Sequence, residues 1–203
     1  MSQSTVVPIP PDLAARYAHT SAGREWLASL PGIISGLLER WRLAPDLAPG
    51  ALPWNGHGAI VLPVLRDDGM PAALKIAFPH DEARVEHHAL ALWGGHGAVA
   101  LLAADAGTCS MLLERLDAGH SLATVPLADA VAVWGGLVRQ LSLVPDGRPQ
   151  WGEFEHIAAR AARAGTSWST QTCTTSTSWP GRMPGQQPGG RRRTLSPPSI
   201  RSP

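Results

Sequence analysis

GHGAIVLPVLRDDGMPAALKIAFPHDEARVEHHALALW, residues 56–93, changes its hydrophobic period twice in 38 residues. Residues 59–65, AIVLPVL, form a short apolar run, and Arg66-Asp67-Asp68-Gly69 is a turn. Residues 71–78, PAALKIAF, form a second run. Short runs so closely joined favour antiparallel pairing, because a parallel crossover needs a dozen residues or more. From residue 81 to 93 the period lengthens to that of an amphipathic helix. The stretch therefore reads as a strand hairpin followed by a helix that packs on it, an α+β arrangement.

The flanks extend this pattern. Upstream, residues 11–18 and 22–42 read as helices. Trp26, Leu27, Leu30, Ile33, Ile34, Leu37, Leu38 and Trp41 recur at helical spacing, with a kink or break expected at Pro31. A Pro-rich connection covers 44–53. Downstream, 99–103 and 109–116 read as two more strands around an Asp/Gly turn, 126–143 as a helix, and 152–164 as a further helix. The expected divisions are 1–53, N-terminal helices and linker; 54–118, a small sheet-bearing lobe; 119–164, the start of a helical lobe; and 165–203, a tail.

Composition separates the tail from the rest. Residues 1–155 carry all 16 acidic side chains against nine Arg and one Lys, a net of −6. Residues 156–203 carry seven Arg and no acid. The whole-chain charge of +1 is thus no sign of nucleic-acid binding. No stretch of 18 apolar residues exists, and the N-terminus shows no secretory pattern. With two unpatterned cysteines, Cys109 and Cys173, the reading is a cytoplasmic protein without membrane or nucleic-acid partners.

Chemistry concentrates at a few positions. Gly56 and Gly58 open the first strand, where a backbone free of side chains can pass close to phosphates; alone, Gly-x-Gly is a weak signal. Lys75, the single lysine beside 16 arginines, lies on the second strand. An ammonium is a compact charge that the planar arginine fork does not replace. Glu86 shares a helix side with Ala89, Leu90 and Trp93, a poor place for a carboxylate without a cationic partner. Lys75 is the candidate partner for Glu86, with Glu82 as the alternative carboxylate. Met111–Leu116 is a strand entering an Asp/Gly linker. His80, His87, His88 and His96 read as surface histidines rather than a metal site, and Trp93, Trp134 and Trp151 as core.

This series of residues resembles the small lobe of protein-kinase-like folds, an antiparallel sheet plus one helix. More closely it resembles the aminoglycoside and hydroxyurea phosphotransferases, the streptomycin 6-kinase-like antibiotic-resistance kinases, from about Pro11 to Leu143. The resemblance implies ATP and Mg²⁺ as cofactors and a small-molecule alcohol such as an aminoglycoside as substrate. It implies that Lys75 holds the α- and β-phosphates and that Glu86 orients Lys75. It also implies that the backbone of Glu114 to Leu116 meets the adenine and that Gly56 and Gly58 lie near the phosphates.

The family pattern then stops. Such kinases need His-x-Asp-x-x-x-x-Asn and a later Asp to hold the metal, and no Asp, Glu or Asn follows Glu155. Residues 166–181 read TSWSTQTCTTSTSWPG instead. Read from the third base of each codon, that run admits L-V-H-x-D-L-H-Y-V-N-V-L-A-G, which contains the missing loop. The same frame admits Ile-Asp-Pro across Pro198 to Arg201. The expectation is a frame change between Arg160 and Ser167, metal ligands missing, a truncated helical lobe with exposed apolar faces, and a disordered tail. The chain as written would be inactive. The alternative is a non-catalytic nucleotide-binding remnant or a partner-binding small lobe.

Overall fold

The computed structural model describes residues 7–117, 121–155 and 159. Two helices come first, α1 (Pro11–Tyr17) and α2 (Ser21–Arg40). Strands β1 (Ala44–Pro45), β2 (Trp54–Asn55), β3 (Ala59–Leu65) and β4 (Pro71–Ala77) follow, then helix α3 (Asp81–Trp93). Strands β5 (Leu101–Asp105) and β6 (Ser110–Glu114) and helix α4 (Leu127–Leu141) complete the order, with short 3₁₀ turns between them. The six strands form one antiparallel sheet in the order β1-β3-β4-β6-β5, and β2 pairs with the other end of β3. This is an α+β fold consistent with a kinase-like small lobe.

The sheet register divides the side chains between two faces. Ile60, Leu62 and Val64 on β3, Ala72, Leu74 and Ile76 on β4, and Leu112 on β6 point to one face. There they join Leu13 of α1 and Trp26, Leu30, Ile34 and Leu37 of α2 in the main core. The helical spacing seen in 22–42 is thus the stripe that lies on the sheet. The break expected at Pro31 does not occur: α2 runs on to Arg40 with Pro31 inside it. Burial of Leu30, Ile34 and Leu37 on both sides of the proline outweighs the one backbone hydrogen bond it removes.

Alternate residues, Val61, Lys75 and Met111, oppose one another on the second face. Leu90 of α3 packs there against Met111 and Leu113. Helix α3 begins at the His80 side chain, which accepts from Ala83 N–H at 3.3 Å, and ends at Gly94 with φ 57°.

The α1–α2 corner depends on Gly23. A Cβ there would sit 2.1 Å from the Tyr17 carbonyl oxygen and 2.9 Å from Thr20 Oγ1, the helix cap that accepts from Gly23 N–H. A backbone oxygen cannot swing aside, so Gly23→Ala is expected to lower unfolding free energy by more than about 2 kcal/mol. Urea titration of the two proteins checks this; equal midpoints would refute it.

Other expectations shift. The strands expected at 99–103 and 109–116 fall at Leu101–Asp105 and Ser110–Glu114, with a register irregularity between Leu101 and Ala103. In place of the start of a helix at 152, Pro149–Glu153 is a 3₁₀ turn. The remainder of that expected helix, and the tail of 165–203, lie outside the described residues. Trp134 is not core: on α4 it is 65% exposed, with Leu127, Val131 and Val138 exposed beside it. Trp93 and Trp151 are half-buried. Among the described residues, no helix is long and apolar enough to cross a membrane.

Candidate functional site

Lys75 stands mid-strand on β4, opposite Val61 of β3 and Met111 of β6. Its ammonium donates to Glu86 Oε1 of α3. Both side chains keep partial access to solvent, 24% for Lys75 and 34% for Glu86. Glu82, the alternative carboxylate, instead meets His80, its Oε2 lying 3.0 Å from Nδ1. Helix spacing placed Glu86 on the sheet-facing side, and the register placed Lys75 below it.

The pair lines a hollow of about 300 Å³ together with Gly56, His57, Gly58 and His80. The loop from Gly56 to Gly58 closes on itself, Gly56 N–H donating to Ala59 O at 3.1 Å. At Gly58 a Cβ would sit 3.3 Å from the Tyr17 hydroxyl, a tight contact that this side chain would have to relieve by a small shift. The structure thus brings together Gly56, Gly58, Lys75 and Glu86.

Glu114 and Leu116 lie at the other end of β6. Glu114 is fixed twice to Ala100, its N–H donating to Ala100 O at 3.0 Å and its carboxylate accepting from Ala100 N–H at 2.9 Å. Leu116 lines a second hollow of about 530 Å³ with Leu52, Trp54, Pro63, Arg115 and Asp117. Arg115 closes one wall through Asp46 Oδ2 at 2.6 Å. The two hollows adjoin along β3, because Val61 lines the first and Pro63, two residues on and on the same face, lines the second.

Trp54 was not singled out in the sequence. It opposes Val61 in the register and stands on the Lys75 face, 49% exposed at the mouth of the second hollow. An exposed tryptophan there offers a flat apolar surface for a planar ring. The available signal was its place two residues before Gly56, which only the pairing of β2 with β3 turns into a position on that face.

Asp105 and His87, both outside the hollows, respond to their surroundings. Burial pushes the Asp105 carboxyl up, but the Arg40 guanidinium at 2.6 Å and the N–H groups of Thr108 and Gly107 hold it below its ordinary 3.8. The depressed value means that the Arg40 pair stabilises the fold above the unfolded-state value and is lost as pH falls through the folded-state one. Asp105→Asn should therefore cost up to about 1 kcal/mol at neutral pH. The gap to the unaltered chain should close as pH drops below about 4. Urea melts across that range check it; a gap that persists in acid would contradict the assignment. Burial, followed by the neighbouring His88 ring, lowers His87, against the opposing pull of Glu153. The His87 and His88 rings lie 3.9 Å apart, and no group of three or more potential metal ligands exists among the described residues.

An antiparallel sheet whose strand lysine is paired to a helix glutamate, beside a glycine-bearing loop, is consistent with the small lobe of a kinase-like fold. The chain belongs to the aminoglycoside/hydroxyurea antibiotic resistance kinase family, whose sequence model matches residues 40–177. That match runs past Ser167 into the Ser/Thr-rich run. The chain is 44% identical over 148 residues to a streptomycin 6-kinase of Streptomyces glaucescens, covering 71% of this chain and 47% of that protein. A streptomycin 6-kinase of Streptomyces griseus is 40% identical over the same shares. A hydroxyurea phosphotransferase of Kitasatospora aureofaciens is 44% identical over 73% of this chain and 44% of its own length. The chain thus spans about half the length of the curated relatives it matches. No solved structure shows a significant match to it.

Proposed function

We propose that this chain carries the nucleotide-binding half of an ATP-dependent phosphotransferase that acts on an alcohol group of a small molecule of the aminoglycoside or hydroxyurea type. The observation that carries the reading is the Lys75–Glu86 pair beside the Gly56–Gly58 loop. Lys75 would hold phosphate oxygens as a point charge, with Glu86 fixing its direction. The larger hollow, walled by Leu52, Trp54 and Leu116, suits the adenine ring, and the backbone after Glu114 suits its polar edge. The residues therefore fit ATP.

They do not fit Mg²⁺. Kinases hold the metal with a catalytic-loop Asn and a later Asp. Neither residue type, nor Glu, occurs after Glu155. The chain as it reads is expected to bind ATP without transferring phosphate. The half-complete site also supports the second reading, a non-catalytic nucleotide-binding remnant. The proposed frame change between Arg160 and Ser167 accounts for the missing residues; against it stands the family match to residue 177.

Calorimetric titration with ATP, then a phosphate-transfer assay on streptomycin and hydroxyurea, tests the reading. ATP binding without transfer supports it, and absence of ATP binding removes it. Sequencing the gene from the Arg160 to the Ser178 codon tests the frame. An indel that restores His-x-Asp-x-x-x-x-Asn supports the change; an unaltered frame refutes it.

A further inference from the structure

Three successive carbonyl groups of the glycine loop are taken up by protein donors. Arg16 Nη1 donates to Gly56 O at 2.7 Å and to His57 O at 3.0 Å. The Tyr17 hydroxyl donates to His57 O at 3.3 Å, and Phe78 N–H donates to Gly58 O at 2.8 Å. Asp12 braces the arrangement: its Oδ1 accepts from Asn55 Nδ2 at 2.9 Å, and its Oδ2 lies 3.8 Å from Arg16 Nη2.

Arg16 and Tyr17 stand on α1, which belongs to the helical layer over the Ile60–Leu62 face through the buried Leu13. The Tyr17 ring packs on Trp26 and Phe78, with centroids 4.9 and 4.7 Å away. Lys75 lies on the opposite face of the sheet. A peptide unit is planar, with its C=O and N–H pointing in opposite directions. Drawing the carbonyls of Gly56 and His57 toward α1 therefore turns the N–H groups of His57 and Gly58 away from α1, and the same loop lines one hollow with Lys75. Consecutive N–H groups beside an ammonium attract an anion, whereas carbonyls in their place would repel it.

We propose that Arg16, braced by Asp12 and assisted by Tyr17, is a positioning residue that aims the amides of the glycine loop at the phosphates of a bound nucleotide. It acts from a helix that lies outside the residues matched by the family model. The proposal rests on the reading of the paired hollows as a nucleotide site.

The test uses the 203-residue chain unaltered and with Arg16→Ala or Arg16→Lys. Two measurements are made: hydrogen exchange without nucleotide, and calorimetric affinity for ATP and for adenosine. Arg16→Ala should speed exchange at residues 56–59 and leave β4 and β6 unchanged. It should weaken ATP binding about 5- to 10-fold, the scale of a lost charge-assisted hydrogen bond, and leave adenosine within about twofold. Arg16→Lys should recover part of the ATP loss, because an ammonium can still reach one carbonyl. Equal losses for ATP and adenosine, or faster exchange across β4 and β6, would show a merely structural role and overturn the proposal. No change in any readout would overturn it too. If the unaltered chain binds no ATP while Arg16→Ala still loosens residues 56–59, the nucleotide reading fails. The loop contact then stands as structure, and the phosphate role is overturned.

Discussion

Lys75→Met should abolish most of the ATP affinity of this chain, by about 10- to 150-fold, because charge-assisted hydrogen bonds to phosphate are each worth about 1.5–3 kcal/mol. The substitution keeps an unbranched, flexible apolar stem, one heavy atom shorter, and removes the charge and the donors. It also leaves Glu86 without its partner in a part-buried position, at a cost to stability of about 1–2 kcal/mol. The two effects separate in the double variant. Lys75→Met with Glu86→Gln should regain most of the lost stability and none of the affinity, since a neutral amide no longer needs a cation. Calorimetric titration with ATP and a thermal melt on each variant measure both. An affinity that survives Lys75→Met would remove the lysine from the nucleotide site, whatever its effect on stability.

Leu74→Ala should be the most damaging single change to the fold. Leu74 is 0% exposed, one residue from Lys75 on β4 but on the other face, within the cluster formed by Leu30, Leu37, Leu62 and Leu112. β4 is bonded on both sides, to β3 and to β6, so its neighbours cannot collapse to fill the space. Truncation of such a leucine costs about 2–5 kcal/mol, a large part of a typical domain stability of about 5–15 kcal/mol. Leu102→Ala is the control: Leu102 lies on the edge strand β5, is 43% exposed, and should cost within about 0.5 kcal/mol. Urea unfolding of the two variants decides it. Similar midpoints would mean that the α2–sheet interface is not the main core.

Much of the fold was legible because its signals are local. The hairpin of residues 59–77 was readable from two apolar runs and an Arg-Asp-Asp-Gly turn, and α3 from its spacing. Where the structure departs from the local rule, packing or the lack of it decides. Pro31 signals a kink or a break, and the break is absent because the leucines and isoleucine around it are held on the sheet. Trp134 reads as core by its apolarity, yet it is 65% exposed. The strands β5 and β6 were found with displaced ends, because hydrogen bonding to β4 and the turn at Asp105, not composition, set where they stop.

The candidate site divides in the same way. Lys75 stands out in sequence as the single lysine, Glu86 as a carboxylate on an apolar helix side, and Gly56 and Gly58 by their place before a strand. Residue type and spacing determined those, since charge, chain period and absence of a side chain are properties of the sequence itself. The choice of Glu86 over Glu82 as the partner of Lys75, the position of Trp54 on the Lys75 face, and the grip of Arg16 on the carbonyls of Gly56 and His57 were decided only in three dimensions. Arg16 lies 40 residues from Gly56 along the chain, and no local rule connects them. What joins them is the packing of α1 and α2 on the far face of the sheet: burying Leu13, Leu30 and Leu37 there carries Arg16 to the loop.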